Sequence, residues 1–415
     1  LARDSALAGT RAASALEAVA ERHAAVLAAL NRCSQSATGP GDGGTATMRG
    51  EGSARRALRL ALWAVALLLI AATVLPLVPT DDWWIRALDF PRPVFAALLL
   101  LVVLAVLVLF GQGWARWTLL AAALAALSLQ LHRIRPYTPL HPMQAPAVGA
   151  CGPENRLSLV AANLREGSSG AGPFLAAVRR ADPDLVFVVE VDQGWVEALV
   201  PLEARYPYRV LHPRDDFWGL ALYSRHPLVE AEVRHLLRGY VPSLRTELRL
   251  GSGAVVEFHG LHPKPPLPSE GTGQRDAELL LAARAARDSG AAAVVAGDLN
   301  AVAWSAITAL FQRIGGLLDP RVGRGPFVTF PTWLPAALRV PIDHVFFTPE
   351  FSLLALERLP DIGSDHLPLL AHLCHTPGED TSRGFVPEPS AANLQRAEEA
   401  IRDGREDAPR EPPTD

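Results

Sequence analysis

Cysteine is scarce: a chain of 415 residues holds three, Cys33, Cys151 and Cys374. No two of them form a Cys-x-x-Cys or other zinc spacing, which excludes the paired-cysteine metal modules. Basic charge is not in excess either. Lys and Arg number 39 against 43 Asp and Glu, a formal net charge of −4. Across residues 151–375 carboxylates slightly outnumber cations, and the lysine there is Lys264. A domain that grips many duplex phosphates carries a basic footprint, so this balance argues against a tight, non-specific DNA binder.

Charge is missing altogether from residues 60–78, and residues 94–110 form a second uninterrupted apolar run. A third, at 117–131, is weaker, with Ser128 and Gln130 near its end. The hydrocarbon core of a bilayer needs roughly 20 apolar residues as helix, with about 17 as the lower limit. Three membrane spans are therefore expected within residues 57–131, with the lipid bilayer as their partner. Trp83, Trp84, Trp114 and Trp117 stand at segment ends, as an interfacial aromatic belt requires. Arg55, Arg56 and Arg59 precede the first span, which places that end in the cytoplasm; three spans then deliver the rest of the chain outside, whereas two spans, with the third segment not crossing, leave it in the cytoplasm. The length of the first run and the two runs behind it argue against a cleaved signal peptide.

Residues 1–56 are rich in Ala, Gly and Ser and read as a low-complexity, disordered segment; Met48 is a candidate natural start. Residues 132–152 carry several prolines and read as a semi-rigid spacer. Residues 376–415 are acidic and Pro-containing and read as a disordered tail, with a short helix around 391–402. Between them, residues 153–375 are long enough to bury a full core. Short apolar runs at 157–162, 185–189, 219–223, 255–259, 293–296, 344–347 and 367–373 read as buried strands. Helical stretches at 173–181, 278–288 and 305–314 intervene, so the domain is α/β, with sheets covered by helices.

Polar residues recur at the ends of these strands. Asn163 follows LSLVAA, Glu190 follows DLVFVV, and His262 follows VEFHGL. Asp298 and Asn300 follow AAVVAG. Asp343 opens PIDHVFF, and Ser364, Asp365 and His366 precede LPLLAHL. Any one of them alone has an ordinary reading as a turn former or a solvated carboxylate. The ordered set resembles the endonuclease/exonuclease/phosphatase superfamily over roughly residues 156–373. GDLN at 297–300 and SDH at 364–366 are its most specific parts, with support from ALYSRHPL at 221–228 and HPKPPL at 262–267.

The resemblance implies a four-layer sandwich of two mixed β-sheets flanked by helices, here preceded by three transmembrane helices. It implies a metal-dependent phosphoric ester hydrolase acting on a phosphodiester or phosphomonoester through an activated water. Mg²⁺, or Mn²⁺, would be held by Glu190, Asn163 and Asp365, since such ions prefer hard oxygen ligands. Asp298 would deprotonate the water and Asn300 would hold the water or the phosphate. His366, oriented by Asp343, would face the phosphate, and His262 would contribute a further donor. Some nucleases of the family carry an acidic residue two positions after the first Asn, where this chain has Arg165. That residue cannot ligate a metal but can bind a substrate phosphate. Members of the family pair their first and last strands antiparallel, which would bring Cys151 and Cys374 to one end of that pair and allow a disulfide outside the cytoplasm. The substrate remains open among nucleic acid, a phospholipid head group and an inositol phosphate, with lipid favoured by the tether. No protein partner is implied. The competing expectation is an inactive, membrane-tethered binding or scaffold module of the same fold.

Overall fold

The computed structural model describes residues 46–408 apart from 169, 238, 240, 269, 377 and 379–387. Most of the low-complexity leader thus lies outside the described residues. The chain divides into two units, Leu1–Ala61 and Leu62–Asp415.

Among the described residues three helices are long and apolar enough to cross a membrane: Ser53–Leu77, Arg92–Leu109 and Trp114–Tyr137, with mean hydropathies of 2.5, 2.8 and 1.3. The first belongs to α1 (Ala46–Val74), which begins earlier than residue 57. A short α2 (Trp83–Ala87) follows, then α3 (Arg92–Leu109) and α4 (Trp114–Ile134). Alternate turns of these helices bury Ala66, Leu99, Val106, Leu119 and Ala123 against one another. A polar chain runs through the packing. Gln130 donates to Thr73 Oγ1 (2.9 Å) and accepts from Arg92 (2.9 Å), which also donates to Asp89 (3.0 Å). Buried polar groups in an apolar medium must satisfy one another, so this chain fixes the register of the three helices.

The segment after α4 is not a free spacer. Tyr137 and Ala145 are buried, and Val148 N donates to Leu353 O (3.1 Å). Its prolines shape a docked connection because apolar side chains between them find cover.

Residues 156–375 build two sheets. The first holds β1 (Arg156–Asn163), β2 (Leu185–Val189), β3 (Tyr208–His212), β4 (Leu220–Ser224), β10 (Phe351–Arg358) and β11 (Leu369–His375), in the order β10-β11-β1-β2-β4-β3. The second holds β5 (Leu228–Arg234), β6 (Ser243–Arg249), β7 (Val255–Leu261), β8 (Ala293–Asp298) and β9 (Asp343–Phe347), in sequence order. Both sheets mix parallel and antiparallel pairs. Their facing sides form one core of Leu159, Phe187, Leu222, Phe258, Val294 and Phe347. At Gly260 a side chain would strike the Phe187 ring, so glycine lets the sheets close there.

Helices α5 (Gly172–Ala181) and α6 (Gln193–Leu199) cover the first sheet through Phe174, Val178 and Trp195. Helices α7 (Gly273–Asp288) and α8 (Ala306–Gly315) cover the second through Leu280, Ala283 and Phe311. The two sheets and their helices are the sandwich that the strand pattern and the resemblance implied. The sequence reads residues 376–415 as a disordered tail with a short helix around 391–402. The helix there, α9 (Ala391–Asp407), runs further and is docked: Ala397 and Ile401 are buried against α7 and α8. Gly404 lies so close to the Gly273 carbonyl that no side chain fits. Its few apolar residues recur on one face, which an acidic composition conceals.

Strands β1 and β11 pair antiparallel, with Arg156 opposite Cys374. Cys151 and Cys374 form a disulfide with Cα atoms 5.9 Å apart, as the first-and-last-strand pairing implied.

Candidate active site

Strands β1, β2, β7 and β8 end at the same edge of the sandwich, and the start of antiparallel β9 meets them there. Each contributes one side chain. Asn163 closes β1 and is buried; its Nδ2 donates to Glu190 Oε1 (2.7 Å) and Asp298 Oδ2 (3.2 Å). Glu190 follows β2 with φ of 58°, a left-handed conformation that turns its carboxylate back over the strand end. Its Oε2 accepts from the Glu166 amide (3.3 Å). Asp298 ends β8 in register with Asp343 of β9. The preceding Gly297 has φ of 140° and passes so near the Leu261 carbonyl that a Cβ would collide with it. Asn300 is also left-handed, at φ 49°; its amide N donates to Asp298 Oδ1 (2.9 Å) and its Nδ2 to Pro263 O (3.0 Å).

On the other side of Asp298 stands His366. Its Nε2 is 3.6 Å from Asp298 Oδ2, and its Nδ1 is 2.9 Å from Asp343 Oδ2. Ser364 fixes this turn by donating to the Asn163 carbonyl (2.8 Å) while accepting from His366 N (3.1 Å). His262 Nε2 lies 3.9 Å from both Glu190 Oε1 and Asp298 Oδ2, and its buried Nδ1 has no hydrogen-bond partner among the described residues. Glu190, Asp298 and His366, which are 176 positions apart at the extremes, therefore meet in one cleft.

Electrostatics in the cleft follow from burial among like charges. Burial pushes the Glu190 carboxyl up, against the hydrogen bond from Asn163. Burial raises Asp298 too, and the neighbouring Asp343 adds to it while His366 opposes. Burial works against a charged His366, but Asp343 and Asp298 outweigh it and push the imidazole up to about 10. His366 is thus a cation at neutral pH. His262 goes the other way: burial lowers it despite Asp298. The cleft holds a hydrogen-bonded cation, a neutral imidazole and at least two carboxylates joined by one amide.

The remaining expected residues are placed less centrally. Asp365 is half-buried; its backbone oxygen accepts from Thr332 N (2.9 Å), and its charge is felt by both Glu190 and His366. Arg165 is exposed beyond Asn163, and its backbone amide donates to Asn163 Oδ1 (2.9 Å). Lys264 pairs with Glu270. Trp304 is buried and its indole N–H donates to Asp89 O (2.7 Å), a packing role. Trp218 packs on the His262 ring, with centroids 5.2 Å apart. Phe330 packs on His366 at 4.7 Å, and nothing in its local sequence marked it. Glu166, also unmarked, accepts from Phe217 N and so ties a neighbouring loop to the cleft.

Ligand atoms of Asp298, Asp343 and His366 lie within 4.8 Å of one another and could hold a metal ion. Glu190 and Asp298 present carboxylate oxygens on either side of the Asn163 amide.

Residues 160–366 match the Endonuclease/Exonuclease/phosphatase family, and the chain carries a domain of that family. Solved structures resemble the same half. A humanized TDP2 of D. rerio is 19% identical, with 53% of this chain and 99% of that one covered and a TM-score of 0.44. The human Nocturnin catalytic domain with bound sulfate is 16% identical, covering 55% and 97%, with a TM-score of 0.44. Sphingomyelinase C from Streptomyces griseocarneus is 19% identical, covering 52% and 99%, with a TM-score of 0.39. A likeness at this level assigns no activity. No curated protein matches the chain.

Proposed function

We propose that this chain is a membrane-anchored, divalent-metal-dependent phosphoesterase whose domain at 153–375 hydrolyses a phosphodiester or phosphomonoester with an activated water. The observation that carries the reading is the convergence of Glu190, Asp298 and His366 at one edge, with His366 held by Asp343.

The donor chemistry of the cleft fits a cation. Glu190 and Asp298 face each other across one amide NH₂ group, with the His366 cation beside Asp298 and the carboxylates of Asp343 and Asp365 adding negative charge. Glu190 with Asn163 would hold Mg²⁺ or Mn²⁺, with Asp365 at its edge, because hard ions select oxygen. His366 is a poor ligand here: a protonated imidazole has no lone pair to give. When bound, the ion offsets charge on the non-bridging phosphate oxygens.

The chain's own groups supply the rest. Asp298 takes the proton of the attacking water, and Asn300 orients that water or the phosphate. The His366 cation, kept in place by Asp343, stabilises charge that builds on phosphorus-bound oxygens. His262 gives a further hydrogen bond, and Arg165 reaches a substrate anion from the rim. Asp298→Ala and His366→Ala should each lower turnover more than about a hundredfold, the scale of losing a general base or a positioned cation. The assay is hydrolysis of bis-p-nitrophenyl phosphate and p-nitrophenyl phosphate by the full chain, with Mg²⁺ and with EDTA. Near-wild-type rates in both variants would defeat the assignment. No turnover of any phosphoester, with no metal binding by calorimetry, would point instead to a binding or scaffold module.

Anchoring by three spans is supported by their length and by the Thr73–Gln130–Arg92 chain between them. Arg55, Arg56 and Arg59 before the first span, and the Cys151–Cys374 bond, support a domain outside the cytoplasm, where disulfides persist.

A further inference from the structure

The rim of the cleft is fastened to the segments that join the spans. Thr272 N, at the end of the loop that begins with His262, donates to Asp81 O (2.7 Å). Trp304, four residues beyond Asn300, donates to Asp89 O (2.7 Å). Tyr137, the last residue of the third candidate span, donates to the neighbouring Ala303 O (2.6 Å). Asp81 and Asp89 lie between the first two spans, and Tyr137 ends the third. In a three-span chain the end of span 1, the start of span 2 and the end of span 3 share one membrane face. Two of the loops that border the cleft are therefore held at that face.

The loops around the cleft also expose large apolar side chains. Trp333 is 75% exposed, two residues from the Pro331 that follows Phe330, whose ring covers His366; Thr332 beside it donates to the Asp365 and Ser364 carbonyls. Phe217 is 57% exposed, next to the Trp218 that packs on His262. Leu267 stands exposed on the loop from His262 to Thr272, and Leu338 is exposed beside Arg339, which donates to the Thr332 carbonyl (2.6 Å). Trp84 is half-exposed on the interspan helix. Exposed apolar groups gathered at one functional edge mark a surface that meets an apolar phase, and Trp and Leu at a bilayer face partition into its interface.

We infer that the cleft works against the bilayer and that its substrate is a membrane lipid carrying a phosphodiester head group. This rests on the phosphoesterase reading. Water adds its oxygen to phosphorus and gives a proton to Asp298. The bond from phosphorus to one ester oxygen breaks, and that oxygen leaves as an alcohol after taking up a proton. One phosphodiester and one water thus become one phosphomonoester and one alcohol. Tethering and rim contacts raise the local concentration of such a substrate over any soluble one.

The test uses the full chain in vesicles of phosphatidylethanolamine, phosphatidylglycerol, phosphatidylcholine and cardiolipin with Mg²⁺, read by ³¹P NMR and mass spectrometry of products. Parallel arms present bis-p-nitrophenyl phosphate, a single-stranded oligonucleotide and a short-chain, monomeric phospholipid. The expected result is head-group cleavage in the bilayer, faster than for the monomeric lipid or the oligonucleotide. Trp333→Glu and Leu267→Glu should each lower the ratio of lipid to bis-p-nitrophenyl phosphate turnover by about tenfold or more, the scale of losing a few apolar contacts with the bilayer. Hydrolysis of bis-p-nitrophenyl phosphate or the oligonucleotide with all four lipids untouched, or a ratio unmoved by both variants, overturns the lipid inference and leaves the phosphoesterase. Failure in every arm removes the phosphoesterase reading as well.

Discussion

Asp343 decides the charge of His366. Without it, burial would favour a neutral ring; with it, and with Asp298 nearby, the ring titrates at about 10. The sign follows: a cation with a raised pKa is present below that value and is lost as pH rises through it. Asp343→Asn should move the alkaline limb of kcat/KM from about 10 toward neutrality, measured on bis-p-nitrophenyl phosphate across pH 6–11. An unmoved limb would mean that His366 is not the group that must stay charged. At this scale the meeting of the candidate residues at one edge was legible. Asp298-Leu-Asn300 and Ser364-Asp365-His366 abut apolar runs, and a polar group at the end of a buried strand has few ordinary neighbours. Phe330 and Glu166 were not legible in their contacts, because loops bring them to the cleft and loops have no period to read.

Among the elements, the sheets were readable from apolar runs, whereas α9 was hidden by its charges and the segment after α4 by its prolines. Two elements carry predictions of their own. Helix α7 buries Glu278 beside Leu261 and Pro263, and burial pushes its carboxyl up to about 8 against the pull of Lys264. The folded chain thus holds a proton that the unfolded chain releases above its ordinary value of 4.5. Stability should be full below about 4.5 and fall as pH rises toward about 8. Glu278→Gln should flatten that decline in thermal unfolding measured at intervals from pH 4.5 to 9. Parallel curves for the two chains would show that the carboxyl is not held neutral. The Cys151–Cys374 bond closes a loop with a sequence separation of 223 between β1 and β11. Cys151→Ser should lower stability by about 2–5 kcal/mol. Denaturation with and without reductant checks this: the wild type should lose the same amount on reduction, and an unchanged midpoint would show that the bond contributes nothing.

For the molecule as a whole, the apolar balance of the chain pointed to a membrane region, and three helices of sufficient length are present. What composition could not show is that the connecting segments grip the two-sheet half at the edge that carries the candidate site, through Asp81, Asp89 and Tyr137. Such contacts depend on the tertiary path and leave no local pattern. A chain with three spans and a cytoplasmic start should give an active alkaline phosphatase fusion at its C-terminus and a dark green-fluorescent-protein fusion there. The reverse pair would place the domain in the cytoplasm.

On the proposed reading Glu190, Asp298 and His366 form one cleft that holds a divalent ion beside a phosphate, and anomalous scattering from crystals soaked in Mn²⁺ and phosphate would locate both. One manganese peak bonded to Glu190, with phosphate between it and His366, is the predicted result. A peak seated between Asp343 and His366, or none in the cleft at saturating Mn²⁺, would contradict the account.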